Sequence, residues 1–245
     1  MIGGVQKGGT TALAHFLARH RGVALPRGKE AHVFDAPDFD EAWTQEYIDG
    51  LYDGHFDAGG ADVAYGDATP IYCFHHAFID RIAAYNPEMR WIVMLRHPVE
   101  RAVSQYQMER SRGHDTWPLW PAMLLERWRL HGHENDFSVH SPLRHHAYRA
   151  RGDYARQLDA LYARFPPEQI LLLQNDELAL APERTLEKVW EFLGLAVDVG
   201  HGGYGRVFEG GYRALRRDGL QFRLLSCLMA PALRSAKARY GLDWD

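Results

Sequence analysis

The sequence predicts an α/β domain: a central parallel sheet flanked by helices, carrying one largely irregular, partly helical insertion. Two apolar runs, Arg90-Trp91-Ile92-Val93-Met94-Leu95 and Ile170-Leu171-Leu172-Leu173, lack the alternation of a one-sided strand and read as parallel strands covered on both faces. A third strand candidate, Ile2 to Val5, runs through a glycine-rich turn into a helical period. Strands that alternate with helices need crossover connections, which make the sheet parallel and doubly wound.

The elements follow in order. From Thr10 to His20 the residues Leu13, Phe16, Leu17 and His20 fall at i, i+3, i+4 and i+7, one face of a helix. The strand over 90–95 ends at Arg96-His97-Pro98, and Pro98 suits the first turn of a following helix, where its missing N–H costs nothing. Residues 112–147 are rich in His, Trp and Pro and hold no clear period; they form the insertion, on the substrate side, with helix expected near Met123 to Leu130. Asp153 can cap a helix whose Tyr154, Leu158, Leu161, Tyr162 and Phe165 make one stripe, stopped by Pro166-Pro167. Glu183 to Leu193 is a helix closed by Gly194.

The 245 residues suffice for one domain over 1–245 with a sizeable core. A net charge of −4 provides no global basic field for nucleic acid or an anionic membrane, so any anion site must be built locally. No apolar run approaches a membrane span, and with strand-like residues starting at Met1 no signal peptide is expected, although so abrupt a start also fits a trimmed N-terminus. Only Cys73 and Cys227 are present, far apart, which points to two buried thiols and a reducing, cytoplasmic setting. Oligomeric state is not legible.

Two segments read as anion sites. In Gln6-Lys7-Gly8-Gly9-Thr10-Thr11 the glycines allow positive φ and close backbone approach. Successive amides and the positive end of the following helix dipole can face one anion, with Thr10 and Thr11 hydroxyls and the Lys7 charge beside them. The loop is P-loop-like, but its lysine precedes the glycine pair, whereas a nucleotide kinase or NTPase reads G-x-x-x-x-G-K-[ST]. The bland alternative is a plain turn with a surface lysine. In "RHPVERAVSQY", Arg96 at a strand end offers a planar fork to phosphate oxygens, and the Ser104 hydroxyl lies along the next helix. Both loops fall at carboxyl ends of parallel strands, where open α/β sheets bind ligands. Two anion sites on one edge call for a ligand phosphorylated at both ends.

At these residues the chain resembles the sulfotransferase family that uses 3′-phosphoadenosine 5′-phosphosulfate (PAPS). "VQKGGTT" is similar to its 5′-phosphosulfate loop and "RHPVERAVSQY" to its 3′-phosphate motif, with Arg96 and Ser104 on the matching positions. "KEAHVFD", "YGDATPIY" and "RGDYARQLDALYARFPPEQILLLQNDEL" resemble segments of the heparan sulfate sulfotransferase branch and its bacterial relatives, so the likeness runs from residue 1 to about 195. The resemblance implies PAPS as donor, 3′,5′-adenosine bisphosphate (PAP) as product, and in-line transfer to a hydroxyl or amine of a carbohydrate or small natural product. Lys7 would steady the leaving phosphate; Gly8, Gly9, Thr10 and Thr11 would hold that end, and Arg96 and Ser104 the other. No metal is required, because lysine and helix terminus supply the positive charge.

The resemblance also places the catalytic base at Glu30. In an extended segment His32 would share its face, orienting the acceptor or serving as base itself. Lys29 would point the opposite way in that conformation, whereas in a loop it could reach the phosphosulfate. Asp67 reads as a turn or capping residue before Thr69-Pro70. The tail over about 196–245 is expected to be helical and to close over the cofactor. Of Arg206, Tyr212, Arg213, Arg216 and Arg217 no clear motif selects the closing residue; Arg213 is carried as the cofactor-binding candidate, against the bland reading of a helix surface carrying arginines.

Trp117, Trp120 and Trp128 could stack a sugar or form the insertion's core. His131, His133, His140, His145 and His146 lack a fixed ligand spacing and a nearby carboxylate pattern, so no metal site is read from them. Two other readings stay open: a P-loop nucleotide kinase or NTPase, and a non-catalytic nucleotide-binding module. The first lacks G-K-[ST] and a Mg²⁺-holding Asp; the presence of both Lys7 and Glu30 disfavours the second. The modest negative charge also argues against a highly sulfated polymer as acceptor.

Overall fold

The structure is a computed structural model and describes residues 1–57, 63–196 and 215–244. The first elements are helix α1 (Thr10–Leu17), strand β1 (Val23–Ala24), α2 (Gln45–Asp53), β2 (Ala64–Tyr65), α3 (His76–Tyr85) and β3 (Trp91–Leu95). Then come α4 (Pro98–Ser111), α5 (Leu119–Leu124), α6 (Glu126–Leu130), α7 (Pro142–His145) and α8 (Tyr154–Tyr162). The chain continues through β4 (Ile170–Gln174), α9 (Asn175–Leu180), α10 (Pro182–Leu193) and α11 (Leu220–Tyr240). Two compact units divide these elements: Met1–Arg96 with the described part of Ala160–Glu209, and His97–Asp159 with the described part of Gly210–Asp245.

The first unit is built on β3, buried at all five positions. It pairs in parallel with β4, in a register from Trp91↔Ile170 to Leu95↔Gln174. On its other edge lies the predicted strand at Ile2 to Val5. Ile92 N–H donates to Met1 O at 2.8 Å, Met94 N–H to Gly4 O at 2.8 Å, and Val5 N–H to Met94 O at 2.9 Å. The pairing is parallel, as expected, but Gly4 alone makes a regular bridge, to Val93. Leu13, Phe16 and Leu17 of α1 and Leu186, Val189 and Trp190 of α10 cover the sheet together with Ile92, Met94 and Leu173. A second, smaller parallel ladder joins β1 to β2.

Helix α1 stops at Leu17, short of the expected His20. The His20 ring instead accepts the Gly22 N–H at 3.0 Å and packs 4.6 Å from the Trp190 ring, turning the chain into β1. Helix α10 ends as predicted, with Gly194 in the left-handed region at φ 71°. The capping Thr44, which accepts from Tyr47 N–H at 3.2 Å, marks α2.

The second unit packs α4 against α11, with Val99, Ala102, Val103 and Tyr106 meeting Phe222, Leu225 and Met229. His97 caps α4 by accepting from Val99 N–H at 3.2 Å, and Pro98 takes the first helical position. The insertion is more ordered than its aperiodic sequence suggests, for buried carboxylates tie it down. Asp115 accepts from Arg129 Nη1 at 2.8 Å, Tyr148 Oη at 2.6 Å and Trp117 N at 2.9 Å. Glu126 accepts from the amides of Arg149 and Ala150 at 2.6 and 2.8 Å. The expected helix over 123–130 is realised as α5 and α6, broken at Leu125. Asp153 Oδ1 accepts from Arg156 N–H at 3.5 Å at the start of α8, and Phe165 beyond the helix is buried. Neither cysteine forms a disulfide; Cys73 is buried, but Cys227 is exposed rather than buried. No helix among the described residues is long and apolar enough to cross a membrane.

Candidate active site

The loop after the first strand segment has the backbone an anion cradle needs. Lys7 sits at φ 67° and Gly9 at φ 103°, both left-handed, on either side of buried Gly8. Gly8 N–H donates to Val5 O at 2.8 Å, closing the turn. A side chain at Gly8 would put its Cβ 2.8 Å from that same oxygen and closer still to Met94 O, so the loop lies directly on β3. Helix α1 then begins at Thr10 with Gly9 as its N-cap, no side-chain cap and no acidic residue in its first turn. The first turn thus brings no carboxylate of its own to the positive end of the dipole, beside a half-buried lysine. Thr10 is buried and Thr11 exposed. This arrangement fits an anion such as a phosphosulfate.

Arg96 follows Met94, whose carbonyl touches the loop, by two residues, so the glycine loop and Arg96 lie at the same end of neighbouring parallel strands. Ser104 belongs to the second unit, half-buried on α4. Arg213, with Arg206 and Tyr212, lies outside the described residues. Arg216 and Arg217 are occupied in surface ion pairs, with Asp218 and Glu100, each at 2.7 Å.

The segment carrying Glu30 departs from the extended conformation expected. Lys29 and His32 adopt φ 71° and 56°, so the chain coils and brings both side chains onto one carboxylate. Lys29 Nζ donates to Glu30 Oε1, rather than pointing away. His32 Nε2 lies 3.2 Å from Glu30 Oε2, while its Nδ1 lies 3.0 Å from Oδ2 of the fully buried Asp35. An imidazole facing a carboxylate at each nitrogen is held as imidazolium. The hydrogen bond to Asp35, then that to Glu30, push the His32 pKa up to about 9 despite partial burial. Burial raises the Glu30 pKa, but hydrogen bonds from His32 and Lys29 and their charges outweigh it and hold this carboxyl below its ordinary value. Near neutral pH, Glu30 is therefore ionised and His32 protonated.

Asp67 holds this segment in place, and it is no turn residue. It is buried, and Oδ2 accepts from Tyr52 Oη at 2.9 Å and Tyr72 Oη at 3.0 Å. Its Oδ1 accepts from Thr69 Oγ1 at 2.6 Å and Ala31 N–H at 3.3 Å. Tyr72 Oη in turn accepts the Val33 N–H at 3.0 Å. Burial and the neighbouring Asp67 drive the Tyr72 pKa far above its usual value, so it stays a hydroxyl donor. Asp67 O also accepts from Ile2 N–H at 2.7 Å, linking the Glu30 segment to the strand that leads into the cradle.

Sequence reasoning missed three participants: Asp35 behind His32, the Asp67 hub, and Asn175, whose amide fills the space that a side chain at Gly9 would need. Asp35 stands inside the quoted "KEAHVFD", but nothing local marks it as buried against His32. A cavity of about 540 Å³ flanks Asp67, walled by Tyr52, Phe56, Tyr65 and Tyr85. None of Lys7, Glu30 or Arg96 lines it, so it is not the cradle. In the insertion, Trp117 and Trp120 pack half-buried on the second unit's core. Trp128 is 71% exposed and stacks on Trp117 at 6.3 Å and 18°.

Comparison with known proteins identifies the family. The sulfotransferase domain family matches residues 1–202. Human heparan sulfate glucosamine 3-O-sulfotransferase 3B1 is 30% identical over 196 residues, 80% of this chain and 45% of the relative. Human heparan sulfate glucosamine 3-O-sulfotransferase 6 is 31% identical over 196 residues, 80% of this chain and 52% of that protein. The chain thus spans about half the length of these relatives. A sulfotransferase crystal structure from Alicyclobacillus acidocaldarius superposes with a TM-score of 0.76 at 26% identity, covering 99% of this chain and 95% of that one.

Proposed function

Because the chain belongs to the sulfotransferase domain family, we propose that it transfers a sulfuryl group from PAPS to a carbohydrate hydroxyl, with Glu30 as the base. The observation that carries this reading is the ionised Glu30 carboxylate braced between Lys29 and the His32–Asp35 pair. His32 is protonated near neutral pH, which leaves Glu30 as the group able to accept a proton and gives His32 the part of orienting it.

Sulfuryl transfer resembles phosphoryl transfer, an in-line displacement through a loose transition state in which charge gathers on the leaving oxygen. Positioning and electrostatics then supply most of the rate. The amides from Gly8 to Thr11 and the start of α1 would hold the 5′ end of the donor, and Lys7 would meet the charge developing on its bridging oxygen. Arg96 would hold the 3′-phosphate. Glu30 would take the acceptor proton late, as the new O–S bond forms, for a contribution of about 10²–10⁴-fold. The named relatives are heparan sulfate 3-O-sulfotransferases; for this chain we propose a sparsely sulfated saccharide, consistent with its net charge of −4.

The test is transfer from labelled PAPS to unsulfated and sulfated glycosaminoglycan oligosaccharides. PAP should stabilise the protein without magnesium, by about 2.7 kcal/mol at 100-fold excess over Kd. Glu30→Gln should lose turnover and keep PAP affinity, and Lys7→Ala should lose turnover. A Glu30→Gln enzyme with full activity would remove the base, and stabilisation by ATP–Mg²⁺ instead of PAP would favour a kinase.

A further inference from the structure

The second unit holds a cluster that the transfer reaction does not use. Glu109, in the last turn of α4, is buried at 2% exposure. His114, just beyond that helix, and His145, which ends α7, bring their Nδ1 atoms to 2.9 and 2.8 Å from the same oxygen, Glu109 Oε2. Their rings stand 4.1 Å apart, and the three ligand atoms lie within 4.8 Å of one another. We infer that Glu109, His114 and His145 form a binding site for one divalent transition-metal ion, with zinc the best fit.

The hydrogen-bond inventory argues for this. His145 Nε2 lies 2.8 Å from Val139 O and must donate to it. If no cation is bound, His145 must also donate from Nδ1, so it carries both protons, and His114 must aim a second N–H at the same carboxylate oxygen. With a cation, each Nδ1 lone pair becomes a ligand and the carboxylate offsets one charge. His145 then keeps its one N–H on Val139 O, the outer contact that metal-bound imidazoles make to fix their tautomer. Two imidazoles and one carboxylate suit zinc and neighbouring late transition metals, whereas calcium and magnesium take oxygen sets. Metal–ligand bonds of about 2.0–2.2 Å put tetrahedral ligands roughly 3.4 Å apart, so the nitrogens need to open by only about 0.5 Å. The His114 side chain is 37% exposed, leaving a fourth position for water. The ion would pin both ends of the 112–147 insertion to α4. Local spacing hides the site, because Glu109 and His145 are 36 residues apart.

Chelator-treated, untagged protein is titrated with zinc chloride against a chromophoric competitor, and zinc is counted per chain by mass spectrometry. Wild type should bind one zinc ion. His114→Ala, at a half-exposed ring, should weaken binding by more than the ~10–100-fold that loss of an outer-shell partner costs. The His131→Ala/His133→Ala double variant, altering exposed histidines outside the cluster, should bind like wild type. Zinc that binds His114→Ala and wild type alike, or no tight zinc in wild type, overturns the site. Should His114→Ala fail to fold, cobalt(II) in the wild type decides: intense four- or five-coordinate visible bands support the cluster, and the weak spectrum of octahedral cobalt overturns it.

Discussion

Replacing Gly8 by alanine tests the cradle most directly. The new Cβ would stand 2.8 Å from Val5 O and closer still to Met94 O, both backbone atoms that cannot rotate away. Ordinary contact between such atoms is ~3.5–4.0 Å, so the loop must lift by about 1 Å from β3. A shift of that size in a positioning group costs about 10²-fold, roughly 2.7 kcal/mol of transition-state stabilisation. Gly28→Ala is the control, since Gly28 is exposed, lies two residues from Glu30, and has no atom within 4 Å of where the alanine methyl would stand. PAP affinity is measured by calorimetry and kcat/KM with labelled donor, alongside unliganded melting to show that both variants fold. Gly8→Ala should lose about 10²-fold in kcat/KM and bind PAP more weakly, with Gly28→Ala unchanged. A Gly8→Ala protein within threefold of wild type in both measurements would refute the cradle.

His32 is pushed up from 6.5 to about 9, so its stabilising contribution is whole below pH 6.5 and is lost as pH rises through about 9. The difference in Tm between wild type and His32→Gln should therefore shrink over that window, and kcat/KM should fall on the alkaline side; a pH-independent difference would contradict the pairing with Asp35 and Glu30. Asp67→Asn sets an amide donor against hydroxyl donors at a buried site, a cost of about 2 kcal/mol and roughly 4–8 °C in Tm, and calorimetry showing no change would remove the hub. Trp128→Ala should raise the KM for a saccharide acceptor several-fold and leave PAP affinity intact; unchanged acceptor kinetics would assign that exposed ring no part in binding.

Elements whose residues interact locally were legible. The apolar runs at β3 and β4, Pro98 at the start of α4 and Gly194 at the end of α10 each declare themselves within a few residues. So did the turn at Gly9, where a left-handed φ suits glycine, whereas the left-handed Lys7 beside it is not marked by its residue type. The Glu30 segment was legible as a motif but not as a shape. Its coil is imposed by Tyr72, Thr69 and Asp67, some forty residues away, which take up its amides in place of a neighbouring strand.

The same distinction separates the loops at the sheet's end from the buried carboxylates. Chain order alone determined that one end of the sheet would carry the glycine loop and an arginine, because alternating strands and helices leave little freedom in where those turns fall. Only the tertiary structure decided that Asp67 is a buried acceptor, that Asp35 stands behind His32, and that Glu109 meets two histidines. Burial and protonation depend on which distant groups share a small volume of low dielectric, and no local pattern of residues encodes that neighbourhood.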